Sequence, residues 1–385
     1  MELNFNEIIK QNNLPKIGSK VLVAMSGGVD SSVTAAILKS AGYDVIGITM
    51  KLHETKSAKS SKTCCSGVDI ADARNVSKKL AIKHYVIDLQ DRFKESVIND
   101  FVNSYKNGET PIPCIRCNQT VKFVDLLNFA KKVDCKVLAT GHYIKRVETK
   151  TGINLFRAED DKKDQSYFLF ATTQEQLKVL RFPLGYFSKS KIRDLAKFFG
   201  LSVANKKDSQ DICFVPSGNY KKFLRKNLNA PSKKGNIETT EGKTIGVHSG
   251  ITDFTVGQRK GIGVGGIKGI NSKDPYYVLD IDKVNNKIIV GPKIKLAKYL
   301  IYLKEINFIS NNLPSNSFSA FVKIRSRNNL ISAKVKYYSL KNKTATVELD
   351  KPEYGVAPGQ ACVFYNNKKR IIGGGWIFSG EKVLS

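Results

Sequence analysis

The hydrophobic rhythm of the chain changes once along its length. In the first half, short unbroken apolar runs alternate with stretches whose apolar positions recur at helical spacing. Residues 20–25 read as a buried strand, and Val33, Ala36, Ile37 and Ala41 then mark one face of a helix over 31–41. The pattern repeats, with strands expected at 44–50, 84–89 and 136–140 and helices at 68–80, 91–106 and 118–132. Strands separated by helices of about 10–15 residues imply parallel βαβ units with right-handed crossovers. Such sheets bind ligands at the C-terminal ends of their strands. After about residue 235, Gly, Asn and Ser punctuate short β-prone runs at 276–281, 287–290, 320–324, 331–338, 344–349 and 361–365. Their spacing points to a small antiparallel barrel or sandwich. The polar stretch 55–62 reads as a mobile loop.

Length turns this pattern into a domain expectation. At roughly 150 residues per domain, 385 residues make two or three. The expected boundaries lie near residues 213 and 292, giving units 1–212, 213–291 and 292–385. With 41% hydrophobic and 25% charged residues, wholesale disorder and fibrous classes are excluded. No run approaches the ~18 apolar residues of a membrane span. The first residues lack the basic and apolar regions of a signal peptide, so a cytoplasmic protein with no membrane partner is expected. The net charge of +29 leans toward the C-terminal part, where 29 basic residues face 11 acidic ones from Cys213 onward. That excess points to a polyanionic partner such as nucleic acid. Seven cysteines spread over a long chain argue for reduced, reactive or metal-binding thiols rather than a disulfide framework.

The sharpest local signal is Ser26-Gly27-Gly28-Val29-Asp30-Ser31-Ser32, between an expected strand and an expected helix. Glycines let the backbone approach an anion, and serine hydroxyls and free helix N–H groups can donate to phosphate oxygens. Asp30 suits a magnesium or structural role better than direct phosphate contact. The usual Gly-x-x-x-x-Gly-Lys-Ser/Thr loop is absent. SGGVDSS resembles instead the pyrophosphate loop of ATP pyrophosphatases, which cleave ATP between its α and β phosphates and adenylate a carbonyl oxygen. The loop alone does not choose among them.

The cysteines narrow the choice. Thr110-Pro111-Ile112-Pro113-Cys114-Ile115-Arg116-Cys117-Asn118 places a cysteine at a stiffened helix start, where the local field raises its thiolate fraction. Cys213 stands in Lys207-Asp208-Ser209-Gln210-Asp211-Ile212-Cys213, with polar neighbours on one side. Cys135 and Cys362 sit in apolar surroundings and are expected in the core. Cys64 and Cys65 carry no assignment. Together with AMSGGVDSSV, ATGHY, KDQSYFL, KKDSQDICF, TVGQRKGIGVGG and APGQACVFY, these segments resemble the tRNA-specific 2-thiouridylases, the MnmA/TrmU family. The similarity runs through nearly the whole chain.

The resemblance implies a Rossmann-like parallel sheet of the ATP pyrophosphatase type, a small central domain that contacts tRNA, and a C-terminal antiparallel β-barrel. It implies ATP and magnesium, a tRNA anticodon arm rather than DNA, and a sulfur-donor protein of a persulfide relay. The wobble uridine O2 would attack the α-phosphate. A persulfide on Cys213 would then attack C2, and Cys117 would release the sulfur, leaving a Cys117–Cys213 disulfide. ATP contacts would come from Ala24, Met25, Ser26, Gly27, Gly28, Val29, Asp30, Ser31, Ser32, Met50 and Gly141. tRNA contacts would come from Ile112, Pro113, Cys114, His142, Lys163, Asp164, Gln165, Arg325, Ser326 and Gln360. Many family members have aspartate where this chain has Cys114. The replacement makes Cys114, Cys117 and Cys213 a candidate ligand set for a 4Fe–4S cluster with one open iron. Two rival readings are an adenylating synthetase for a small molecule and a non-catalytic RNA-binding protein.

Overall fold

A computed structural model describes residues 4–53, 67–208, 211–215, 218–228, 233–263, 275–310, 313–339 and 343–379. Cys64, Cys65 and the polar stretch 55–62 lie outside these residues. The first sheet contains strands β1 (Lys20–Ala24), β2 (Asp44–Lys51), β3 (Lys83–Asp88) and β4 (Val137–Thr140). A hairpin of β5 (Ile144–Thr149) and β6 (Gly152–Arg157) follows, and β7 (Leu180–Arg181) returns to the sheet. Its order is β3-β2-β1-β4-β7, and every pairing is parallel. β1, β2 and β4 are apolar through nearly their whole length because helices cover both faces. Helix α1 (Phe5–Gln11) precedes the sheet, and helices α2 (Val29–Ser40) and α3 (Gly67–Lys79) supply the first crossovers.

The expected helices at 91–106 and 118–132 both form, but each contains a π-turn, at Lys94–Ile98 and Asn118–Lys122. The second π-turn follows Cys117 directly, where the short helix Pro113–Cys117 ends. π-Turns of this kind recur at functional positions in helices.

The second half contains two further sheets. Strands β8 (Gly235–Thr239), β9 (Thr244–His248), β10 (Tyr276–Asp282) and β11 (Lys287–Pro292) form one in the order β10-β11-β8-β9. β12 (Ala297–Phe308), β13 (Ser317–Lys323), β14 (Ile331–Ser339), β15 (Thr344–Tyr354), β16 (Ala361–Tyr365) and β17 (Ile371–Phe378) close an antiparallel barrel, in the order β12-β15-β14-β13-β16-β17. Closure removes the exposed sheet edges.

The barrel is packed onto the first half. One apolar core contains Leu22, Phe93, Phe101 and Phe170 together with Val363, Tyr365 and Trp376. Phe214 and Val215, next to Cys213, belong to that core as well. The segment 165–170 is the joint. Tyr167 Oη accepts from the Ala361 N–H at 3.3 Å and donates to the Ala361 carbonyl at 2.9 Å. Phe170 meets Trp376 edge-on, with ring centres 5.9 Å apart. A Cβ at Gly374 would lie 2.8 Å from the Phe170 ring, so this close approach requires glycine.

Candidate active site

A cavity of about 490 Å³ opens at the C-terminal ends of β1, β2 and β4. The strand–loop–helix turn forms its floor. Gly27 has φ +70°, and a Cβ there would stand 2.1 Å from the Asp69 carbonyl oxygen, so no other residue fits. Gly28 precedes the first turn of α2 in an extended conformation. The Ser31 hydroxyl accepts the Ser26 N–H at 3.1 Å, which closes the loop on itself. Gly141, at the end of β4, packs so near that a Cβ would lie 2.9 Å from the Ser31 nitrogen.

Nine of the eleven expected nucleotide residues line this cavity: Ala24, Met25, Ser26, Gly28, Val29, Asp30, Ser31, Met50 and Gly141. Gly27 and Ser32 support it from behind. Ser32 donates its hydroxyl to the Gly28 carbonyl at 2.8 Å. Asp30 has a structural part: Lys189 Nζ reaches both carboxylate oxygens, at 2.7 and 2.8 Å, and Tyr143 Oη donates to one at 2.7 Å.

Cys117 and Cys213 line the same cavity, as do Pro113, Cys114, His142, Lys163 and Gln165. Cys114 is exposed, Cys117 buried and Cys213 half-buried, and none is in a disulfide. Burial pushes the Cys117 thiol up to about 11, although the Lys122 ammonium acts in the opposite direction. The same burial, reinforced by Lys122, pushes His142 down to about 3, so its imidazole is neutral. Thr140 Oγ1 lies 2.8 Å from His142 Nδ1. Among the described residues, no group of three His, Cys, Asp or Glu side chains could hold a metal ion. The three cysteines share this cavity.

The expected tRNA residues divide three ways. Ile112, Arg325, Ser326 and Gln360 line a second cavity of about 390 Å³. Phe168 borders both cavities, so the two adjoin. Lys163 and Gln165 face the first cavity but are already engaged. Lys163 pairs with Asp208 at 2.7 Å, and the Gln165 amide oxygen accepts the Tyr143 N–H at 2.9 Å. Asp164 belongs to neither cavity. Its side chain is 1% exposed and accepts from Arg157, Ser166 and the Ala158 N–H. Its carboxylate joins the β5–β6 hairpin to the 165–170 segment.

Sequence reasoning missed the ionic frame behind the site. Asp208 receives Lys163, Lys189 and Arg193, the last two at 2.9 Å. Burial alone would raise the Asp208 pKa, but the hydrogen bonds from Lys163 and Lys189 outweigh it and lower the pKa. Lys206 donates to the Gly27 carbonyl at 3.0 Å and to Asp69 at 2.7 Å. The segment that carries Cys213 is thus tied to the nucleotide loop. Asp208 stood in a recognisable motif, but Lys189 is one lysine of an ordinary amphipathic helix, and only the fold gives it a role.

The short cysteine helix is gripped by the barrel at both ends. Before it, the Thr110 N–H donates to the Pro358 carbonyl at 2.7 Å, and Gln360 Nε2 donates to the Thr110 carbonyl at 2.7 Å. Within it, Arg116 makes paired bonds to Glu305 at 2.8 and 3.1 Å and lies 4.5 Å from the Trp376 ring centre. Glu305 has φ +52° at a register shift in β12, which turns its carboxylate toward Arg116.

Comparison with known proteins agrees with this arrangement. Family models match three consecutive stretches. They are described as a tRNA methyl transferase HUP domain (residues 19–217), a tRNA methyl transferase PRC-barrel domain (221–292) and an aminomethyltransferase beta-barrel domain (298–377). The tRNA-specific 2-thiouridylase MnmA of Roseobacter denitrificans is 48% identical over 372 residues, covering 95% of this chain and 96% of that protein. The protein of the same name from Orientia tsutsugamushi is 49% identical over 359 residues, covering 93% and 95%. Similarity to a solved NMN synthetase from Francisella tularensis, at a TM-score of 0.33 and 16% identity over 53% of this chain and 73% of that one, is too slight to add to the picture. With both cysteine segments and the SGGVDSS loop on one cavity, and nearly half of all positions shared over almost the full length, the chain belongs to the tRNA-specific 2-thiouridylase family.

Proposed function

We propose that the protein replaces O2 of the wobble uridine in tRNA anticodons with sulfur, at the expense of ATP. The observation that carries this reading is the single cavity lined by the nucleotide loop, Cys117 and Cys213. ATP would lie at the strand ends beside Ser26, Gly28 and Ser31, bringing its own magnesium. Uridine O2 attacks the α-phosphorus and pyrophosphate leaves, which converts O2 into part of a good leaving group. A donor protein loads a sulfane sulfur onto Cys213. The terminal sulfur of that persulfide attacks C2, and AMP departs with the former O2. The Cys117 thiolate then attacks the Cys213 sulfur. The S–S bond to the transferred sulfur breaks, 2-thiouridine is released, and a Cys117–Cys213 disulfide remains for an external thiol to reduce. Only the thiolate of Cys117 attacks, so its proton must leave first. At a pKa of about 11 the thiolate fraction at neutral pH is on the order of one in ten thousand.

The excess of positive charge offers the phosphates of the anticodon arm a docking surface. The second cavity, with Arg325, Ser326 and Gln360, is the approach by which a flipped nucleotide reaches the first. Methyl transfer, named in the family-model descriptions, has no need of two thiols beside a nucleotide loop. The test is Cys213→Ser assayed with unmodified tRNA, ATP, magnesium and a persulfide donor. Thiolation should disappear while tRNA-dependent pyrophosphate release continues. Thiolation retained by this variant would remove Cys213 from the mechanism.

A further inference from the structure

Asn118 follows Cys117, at the start of the π-turn, and lines the main cavity. It is 4% exposed. Its amide orientation is fixed, because Nδ2 donates to the Phe168 carbonyl at 3.2 Å. Its Oδ1 is buried and has no hydrogen-bond partner. A buried acceptor without a partner costs stability, and few survive in folded proteins. Because Asn118 lines the cavity, a group that settles there is placed to bring a donor to this oxygen.

We propose that Asn118 Oδ1 accepts the N3–H of the target uracil and thereby selects uridine over cytidine. This rests on the thiolation reading above. The choice of donor follows from chemistry. Uracil has one N–H on its base edge, at N3, the atom next to C2, and C2 is where the Cys213 sulfur attacks and from which Cys117 frees it. Cytosine carries a lone pair at N3, which would face the Asn118 oxygen acceptor to acceptor. The contact also assists the reaction. When O2 takes the adenylyl group, positive charge develops on the ring and the N3–H becomes a stronger donor, so the hydrogen bond tightens as C2 becomes electrophilic. N3 keeps its proton throughout, and the product emerges with N3–H intact.

The test pairs a base change with a residue change. 3-Deazauridine keeps O2 and C2 but has C–H in place of N3–H. Wild-type protein should thiolate a tRNA carrying it at the wobble position at least tenfold more slowly, in kcat/KM, than the uridine tRNA. In Asn118→Leu, which keeps the branched shape and removes the acceptor together with the donor to Phe168, the ratio between the two tRNAs should shrink at least fivefold relative to wild type. Asn118→Ala serves the same comparison should the leucine variant not fold. The intrinsic reactivity of 3-deazauridine is the same for both proteins and cancels. An equal penalty in wild type and variant would overturn the proposal. So would a variant whose only defect is a raised KM for ATP, which would make the adenine amine the donor. Absence of thiolation by wild type on ordinary uridine tRNA would instead overturn the function on which the proposal depends.

Discussion

The nucleotide loop and the cysteine helix face one cavity but are held there differently. The loop is fixed by its own neighbourhood: a glycine that no side chain could replace, a serine closing back on the backbone, and a strand end packed against it. The cysteine helix is only five residues long and too short to be stable alone. It is held by Pro358, Gln360, Glu305 and Trp376, all contributed by the barrel and the turn that leads into β16. ATP chemistry is therefore local to the parallel sheet. Placement of the thiol depends on a part of the chain some 190 residues downstream.

Breaking the local half should have the largest effect. Gly27→Ala puts a methyl group 2.1 Å from the Asp69 carbonyl and forces an unfavourable φ. Pyrophosphate release should fall at least a hundredfold, while the alkylation rate of Cys117 stays near that of wild type. A loss shared equally by both readouts would mean that the two regions are not independent.

The distant half should respond in the opposite sense. Arg116→Lys removes both the forked carboxylate pairing and the stacking on Trp376, neither of which a lysine reproduces. Thiolation in a single turnover should fall about tenfold, with pyrophosphate release within about threefold of wild type. Glu305→Gln should give the same split more mildly.

The pH response sharpens the comparison further. Because burial raises the Cys117 pKa to about 11, the thiolate fraction climbs with pH throughout the neutral and mildly alkaline range. Site-resolved alkylation of Cys117 should therefore accelerate about tenfold per pH unit from 7 to 9.5. Lys122→Gln removes a charge that favours the thiolate, so alkylation should slow by a factor of about three at fixed pH. A plateau near pH 8 would mean that the thiol is not desolvated.

What could be read in the sequence follows the same division. The strand–loop–helix at 20–40 and the crossovers to β4 were legible because apolar runs and helical spacing are local signals. The expected strands at 276–281, 287–290, 331–338, 344–349 and 361–365 all lie within observed ones. β12, the longest strand, was missed: its alternation is broken by Lys298, Tyr299 and Leu300 and by the shift around Glu305. The β5–β6 hairpin and two-residue β7 were missed as well, being short and bounded by polar positions. At the site, the thiols and the loop could be named from motifs. Lys189, Arg116 and the burial of Asp164 could not, since each acquires its role from residues far away in sequence.

The core shared by the sheet and the barrel bears on how the molecule comes apart. Trp376, Tyr365 and Val363 pack in the same cluster as Phe93, Phe101 and Phe214. Detaching the barrel would strip the sheet of part of its own interior, so the two are coupled in unfolding. Heating should give one cooperative transition for sheet and barrel, and the thiol site should be lost at the temperature at which the fold itself is lost.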